Sequence, residues 1–405
     1  MKTIIIGGGP AGIFAALNAK NKSNEVILLE RNPKLGRKLA ITGKGRCNIT
    51  NDADISDFFN QINSNREFLY SAFYRFTNND LIDYFQNRGL KLKVERGGRV
   101  FPESDKSYDI LDILYDDLKR NGIKVYLNCK VKSASKIGEK FIVNTDEICF
   151  ESDNLIIATG GKSYPKTGSD GLGYRLAESF GHGITNIKAS LVPIEIKEDW
   201  IKELQGVSLK NVRLTISSSK EIASEFGEMV FTSYGISGPI VLRLSSYILE
   251  NNPCILSLDL KPALDYDKLD SRILRDFKKY NNKSIKNALS DLTIKALIPV
   301  LLKYADIDPE KPVHQISKLE RQNLINSFKN LKMNFKKLRP IDEAIITQGG
   351  VDVLKINPAN MESKIVKNLY FAGEILDVDA NTGGYNLQIA FSTGFLAGIY
   401  AGGGE

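Results

Sequence analysis

Gly7, Gly9 and Gly12 lie in the run GGGPAG, and Glu30 follows Gly12 by 18 residues. An apolar segment, Thr3–Ile6, precedes the run, and a second one, Val26–Leu29, ends at Glu30. This is the spacing of a βαβ unit that holds a dinucleotide. Gly7 makes the tight turn. Gly9 lets the backbone approach a pyrophosphate. Gly12 lets the helix pack closely on its strand. Pro10 and Ala11 open that helix, whose free N–H groups and positive dipole end face the phosphates. Glu30, with Arg31 beside it, stands where a carboxylate accepts hydrogen bonds from ribose hydroxyls. An acid there disfavours a 2′-phosphate, so the expected nucleotide is an adenosine with a free ribose. A glycine pattern alone is shared with plain βα turns; here the strand, the helix and the acid all agree.

A second glycine-rich segment, GRKLAITGKGRCNITN, spans residues 36–51. Gly36, Gly43 and Gly45 allow backbone N–H groups to curl toward an anion or a ring carbonyl. Arg37, Lys38, Lys44 and Arg46 add positive charge; Thr42, Asn48 and Asn51 add directional donors. A flavin needs this mixture, with charge for its pyrophosphate and donors for the polar edge of its ring. The plainer alternative is a basic surface loop. Cys47 lies in the segment, and neighbouring cations favour a thiolate; a small packed residue is the alternative reading. Ala158, Thr159, Gly160 and Gly161 end a buried strand where the backbone can pass close to a cofactor. Near the C-terminus a strand delivers Gly373 and Glu374 to the same sheet edge. Gly384, Tyr385, Asn386 and Leu387 then open the last helix, whose positive end suits the ring edge where negative charge builds on reduction. These features specify FAD. No second complete GxGxxG occurs, so NAD(P)H is expected only as a transient co-substrate. Arg46, Asn48, Tyr234 and Tyr385 are the candidate catalytic residues, each with cofactor positioning or packing as its alternative.

These sites need a frame of several elements. A chain of 405 residues exceeds one ordinary core. An α/β nucleotide domain is expected over 1–190 and 336–405, interrupted by a β-rich, barrel-like segment over 191–265 and a helical lobe over 266–335. Helical spacing is read in 56–89, in Asp105–Asn121, from Asp267 to Lys332 and from about Asn386 to Ile399. A hairpin is read around Gly97-Gly98. The hydrophobic and charged fractions, 42% and 25%, are those of a globular protein. No apolar run reaches membrane-spanning length, and the first strand begins almost at Met1, so a cytoplasmic protein without a signal peptide is expected. The four cysteines form no CxxC pair, and the two histidines, His182 and His314, stand apart from other ligands. No disulfide framework, dithiol relay or metal site is therefore expected. The net charge of +7 fits a lysine-rich surface, or attraction of an anion. No basic run interleaved with aromatics points to nucleic acid, so the expected partner is a small-molecule substrate.

Five segments together resemble the YhiN/BaiN-type FAD-dependent oxidoreductases, also called the aminoacetone oxidase family, among the glutathione-reductase-like flavoproteins. They are GRKLAITGKGRCNITN, ATGGKSYPKTGSDGLGY, FTSYGISGP, ITQGGV and YFAGEILDVDANTGGYNLQIAFSTG. The resemblance implies a Rossmann-like FAD-binding domain with an inserted β-barrel-like domain and a helical lobe. It implies FAD contacts at Gly7, Gly9, Gly12, Glu30, Arg37–Asn48, the Val131 backbone, Ala158–Gly161, Gly373-Glu374 and Gly384–Leu387. It does not carry a substrate, because members differ: amino ketones oxidised by O₂, or steroid enones reduced. The leading expectation is an NAD(P)H-fed reductase of an activated C=C or C=O bond, with hydride passing through flavin N5. The alternatives are an O₂-dependent oxidase of a small amine or amino ketone, a flavoprotein acting on RNA, and a non-enzymatic flavin binder.

Overall fold

The computed structural model describes residues 1–248 and 254–404 and divides into two units, Met1–Ala189 with Ala344–Glu405, and Ser190–Glu343. The frame of the first unit is a parallel sheet of five strands. Its order is Leu369–Phe371, Asn154–Ile157, Lys2–Ile6, Glu25–Leu29 and Lys124–Tyr126. Ile6 aligns with Ile157 on one side and Leu29 on the other. These strands are nearly continuous apolar runs because both faces of the sheet are covered; Ile4, Ile5, Leu28, Ile156 and Phe371 are fully buried.

One cover is a helix pair, Pro10–Ala19 and Tyr385–Ala401. A Cβ on Gly394, Gly398 or Gly402 would lie 2.3, 2.5 or 2.8 Å from the carbonyl oxygen of Ala11, Ala15 or Ala19, respectively. Three glycines at four-residue intervals therefore face three alanines at the same interval, and the two backbones almost touch. This pairing joins the two chain ends. The first unit also carries two antiparallel three-stranded sheets. One contains Val131–Ile137, Lys140–Thr145 and Cys149–Ser152; the other contains Thr50–Asn51, Leu92–Glu95 and Arg99–Pro102.

The second unit contains a closed antiparallel barrel of six strands: Ile194–Ile196, Gly235–Ser237, Glu221–Phe231, Ser208–Ser217, Ile255–Asp259 and Leu331–Leu338. Ile194 pairs with Leu338 to close it. Leu214, Ile216, Leu256, Leu258, Leu331 and Met333 are fully buried at alternate positions, the pattern of an inward-facing barrel wall. The helical reading that extends to Lys332 is corrected here, because Leu331, Met333 and Phe335 alternate with exposed Lys332, Asn334 and Lys336 as a strand does. Between the fifth and sixth strands run the helices Tyr266–Lys279, Ile298–Ala305 and Lys318–Lys329. The third is opened by a capping box in which Ser317 and Glu320 satisfy each other's backbone N–H groups. No helix of the described residues is long and apolar enough to cross a membrane.

Candidate functional site

The glycine run leaves the first strand through a hydrogen bond from Gly7 N–H to the Leu29 carbonyl, 2.9 Å. A Cβ on Gly7 would lie 2.4 Å from the Ala158 carbonyl oxygen, and one on Gly12 would lie 1.8 Å from the Gly7 carbonyl oxygen. Both positions demand glycine. Gly9 differs, since no atom lies within 4 Å of its would-be Cβ. The space over Gly9 is open, as a pyrophosphate approaching the helix N-terminus requires. Glu30 is almost wholly buried. Its Oε2 accepts from Gly8 N–H at 2.7 Å, and its Oε1 accepts from Asn32 N–H at 2.8 Å and Asn32 Nδ2 at 2.6 Å. The chain around Val131 is drawn to the same place, because Cys129 N–H donates to the Glu30 carbonyl and Asn128 N–H to that of Asn32. Arg31 forms an ion pair with Asp170, and Arg37 donates to Asn32 Oδ1 at 2.8 Å.

The segment expected as a continuous loop is partly helical. Arg37–Gly45 begins as a helix after left-handed Gly36, then breaks at Thr42, Gly43 and Lys44. Thr42 Oγ1 turns back to the Leu39 carbonyl, 2.7 Å, and Cys47 N–H donates to the Thr42 carbonyl at 3.0 Å. Arg46 stacks 4.2 Å over the Phe101 ring and pairs with Glu95 at 2.7 Å and Asp105 at 3.3 Å. Lys38 is matched as well, with Nζ 2.7 Å from Glu374 Oε2 and 2.7 Å from Ser163 Oγ. Glu374 Oε1 also accepts from Ser163 Oγ at 2.9 Å and from Thr347 N–H at 3.0 Å. Thr347 Oγ1 accepts from Lys162 and Ser163 N–H at 2.8 and 2.9 Å. Four distant stretches of sequence thus meet at one half-buried carboxylate.

Gly373 N–H donates to Thr393 Oγ1 on the last helix, 2.9 Å. Gly384 caps that helix at φ 103°, and a Cβ there would lie 2.3 Å from the Thr50 backbone. Tyr385 packs edge-on against Phe58, 4.9 Å between centroids. The Asn386 side chain holds the Ala380 backbone, accepting at 2.9 Å and donating at 2.6 Å, while Leu387 is half-buried. Tyr234 lies in the second unit with the Arg339 guanidinium 4.4 Å over its ring. The other three candidate catalytic residues, Arg46, Asn48 and Tyr385, belong to the first unit.

The fit to a bound cofactor is tested by polar atoms that the chain leaves without partners. Asn48 Oδ1, Thr159 Oγ1, Asp379 Oδ1 and Asn381 Oδ1 are buried and unpaired among the described residues. Buried polar groups are normally satisfied. Tyr174, His182, Ser190 and Trp200 each leave one such atom elsewhere, whereas the first four adjoin glycine-rich turns or precede the cap of the last helix, in the same unit as the open space over Gly9. Three acceptor oxygens and one hydroxyl fit the N–H and hydroxyl groups that FAD presents.

A family model described as the HI0933-like protein Rossmann domain matches residues 1–400. The chain belongs to the HI0933-like family. The family is one of FAD-dependent oxidoreductases, the class and Rossmann-like fold expected from the sequence. Over 401 residues the chain is 32% identical to the 3-dehydro-bile acid delta(4,6)-reductase of Clostridium scindens, covering 97% of each. Over 392 residues it is 32% identical to the ribosomal RNA dihydrouridine synthase of Escherichia coli, covering 96% of this chain and 95% of the relative. The relative of the same name from Haemophilus influenzae is 30% identical over 405 residues, with 98% of each covered. Among solved structures, 3-ketosteroid delta1-dehydrogenase from Sterolibacterium denitrificans superimposes with a TM-score of 0.52 at 12% identity over 99% of both chains, a likeness of fold.

Burial shifts three groups at this site of the HI0933-like protein, Cys47, Tyr385 and Asp379. The Cys47 thiol is fully buried, which pushes its pKa up to about 12 and keeps it neutral. Burial, and then Asp57, raises the Tyr385 phenol, which holds its proton at neutral pH. Burial also raises the Asp379 carboxyl, whose Oδ2 accepts from Asn63 Nδ2 at 2.9 Å. Asn32, Thr347 and Asp379 are functional candidates that the sequence reading does not single out. Asn32, two residues after Glu30, precedes Pro33 and reads as an ordinary turn residue. Thr347 and Asp379 lie inside ITQGGV and DVDANTGG, whose glycines draw attention away from the polar residues beside them. Among the described residues, no group of three or more His, Cys, Asp or Glu side chains is placed to hold a metal ion.

Proposed function

We propose that this protein is an FAD-dependent reductase of a C=C bond conjugated to a carbonyl, with NAD(P)H as the electron source. The observation that carries this reading is the chemistry common to relatives with different names. A delta(4,6)-reductase acting on a 3-dehydro bile acid saturates C=C bonds conjugated to a ketone. A dihydrouridine synthase saturates the uracil C=C bond next to its ring carbonyl. Relatives of both names match this chain over nearly its whole length at about one third identity. The net reaction consumes one NAD(P)H and one proton and adds two hydrogens across the double bond.

In this reading FAD, when bound, relays two electrons from the nicotinamide to the substrate. The N-terminus of helix Pro10–Ala19 and the open face of Gly9 hold the pyrophosphate. Glu30, oriented by Gly8 and Asn32, receives the adenosine ribose, with the Val131 backbone beside it. Asn48 and Thr159 satisfy their free oxygens on the cofactor. The Gly384 end of the last helix stabilises negative charge at the ring. Arg46 and Lys38, already ion-paired, fix the loops rather than supply unmatched charge. Tyr385 keeps its phenolic proton and is the candidate proton donor in the first unit.

Two relatives named as ribosomal RNA dihydrouridine synthases favour a second substrate reading, uracil within RNA. The experiment is anaerobic mixing of the FAD-loaded protein with NADH or NADPH, followed by a 3-keto-4-ene steroid or a uridine-containing RNA. Flavin absorbance should bleach with one nicotinamide and return with a conjugated C=C substrate. Failure of both nicotinamides to bleach it, with rapid recovery by O₂ after an amino ketone, favours the oxidase and refutes the proposal.

A further inference from the structure

The charge of this chain is unevenly placed. Residues 261–343 hold 18 Lys and Arg against 11 Asp and Glu, so these 83 residues carry the entire formal excess of +7. The helix Tyr266–Lys279 holds five of these cations against three acids, Asp267, Asp270 and Asp276. Leu269 and Ile273 fix its buried side. Lys268, Arg272, Arg275 and Lys279 recur at four- and three-residue steps along one flank, with Lys278 next to them. At 1.5 Å per residue the stripe is about 16 Å long. A groove of about 410 Å³ follows it, lined by Leu264, Asp267, Lys268, Ser271, Arg272 and Arg275.

Some of these cations are matched and some are not. Lys268 pairs with Asp265, Arg272 with Asp276, and Lys279 with Asp291. Arg275 and Lys278 are exposed and have no ion pair among the described residues. Lys261 stands at the near end of the stripe, and burial together with the Arg272 charge lowers its pKa. Across the groove only Asp267 opposes these cations from the lining.

We infer that this groove and stripe form a docking surface for the phosphate backbone of single-stranded RNA. A row of point cations at helical spacing matches a linear polyanion and reads no base, which is the positioning role phosphate contacts play. The inference rests on the RNA reading of the substrate given above. Docking on the second unit is a property separate from reduction, so it is tested by binding rather than turnover.

The experiment uses the FAD-loaded full chain and a fluorescein-labelled single-stranded RNA containing uridine, titrated at several salt concentrations. Arg275→Gln with Lys278→Gln removes the two unmatched cations, and retained FAD absorbance and melting temperature verify the fold. Two lost contacts should make the slope of log affinity against log salt shallower by about 1.4, or about 25-fold weaker binding at 0.1 M salt. Asp267→Asn should tighten binding, and it tests the groove without touching a cation. Unchanged affinity in both variants overturns the inference, and so does a wild-type chain that binds no RNA. It is also overturned if the double variant loses binding to phosphatidylglycerol vesicles while RNA binding stays intact, since the surface would then serve a membrane. A chain that fails here yet reduces the steroid enone leaves the conjugated-bond reading standing; one that binds RNA but bleaches with neither nicotinamide refutes that reading alone.

Discussion

Glu30 has two tasks in this structure, and one pair of variants separates them. Its carboxylate accepts three hydrogen bonds from its own chain, one from Gly8 N–H and two from Asn32. Glu30→Gln keeps the volume but leaves one acceptor oxygen. With that oxygen turned to Asn32, the amide nitrogen faces Gly8 N–H, a donor against a donor. A buried donor left without its partner costs about 1–3 kcal/mol, so the apo protein should lose about 2 kcal/mol. For a unit of this size that lowers Tm by roughly 4–8 °C. Glu30→Ala removes all three bonds and any ribose bond as well. FAD affinity should then fall by at least about tenfold, the equivalent of about 1.4 kcal/mol or more. Differential scanning fluorimetry of the apo protein and FAD fluorescence quenching read the two effects. An unchanged apo Tm in Glu30→Gln refutes the structural task. Unchanged FAD affinity in Glu30→Ala refutes the ribose task, whatever happens to Tm.

Gly9→Ala and Gly12→Ala should behave in opposite ways. The open space over Gly9 predicts an apo Tm within about 2 °C of wild type but weaker FAD binding, whereas the 1.8 Å approach at Gly12 predicts a loss of about 3 kcal/mol or more; urea titrations and FAD titrations of both variants check this, and equal FAD affinity in Gly9→Ala and wild type rejects the phosphate approach. Cys47 makes stability fall at high pH. Its folded pKa of about 12 lies above the unfolded value of 9.0, so the unfolded chain releases a proton that the folded chain keeps, and stability present below pH 9 is lost as pH rises. Wild type should lose about 1.4 kcal/mol per pH unit more than Cys47→Ala between pH 9 and 12, and parallel pH profiles in urea unfolding would contradict the buried thiol.

The parts of this fold written in the sequence are those with strong local periodicity. Thr3–Ile6, GGGPAG and Val26–Leu29 define the nucleotide turn by themselves, because the glycine spacing, the helix and the acid answer to one geometry. The Leu331–Leu338 strand is hidden for the opposite reason. Its apolar residues alternate, but lysines surround it and a helix ends just before it, so the shift from a period of 3.6 to one of 2 is blurred. Arg46 and Lys38 read as free charge because their partners, Glu95, Asp105 and Glu374, lie 49 to 336 residues away. The facing glycine and alanine rows of the first and last helices are legible as small residues. That they face each other follows only from the sheet that brings residues 1 and 400 together.

The same sheet explains why the site includes Thr347. The chain leaves the first unit at Ser190 and returns at Ala344, an excursion of 154 residues. The barrel itself draws the ends of this excursion together, since Ile194 pairs with Leu338 and Arg339 N–H donates to the Pro193 carbonyl at 3.0 Å. The return is fixed within a few residues. Thr347 accepts from Lys162 and Ser163 and donates to Glu374. Thr185 and Gly350 then exchange two bonds, each 2.9 Å, and Asp352 N–H donates to the Gly183 carbonyl at 3.0 Å. These six bonds, at about 1 kcal/mol net each, fix the register of the return. The carboxylate at the centre of this closure is Glu374, which also anchors Lys38, from the segment that follows the nucleotide turn. The bonds that return the chain to the sheet therefore also set the loop that carries Asn48. The return strand Ile346–Gln348 thus serves twice, pairing with Lys188–Ser190 where the chain left and holding Ser163 and Glu374 through Thr347.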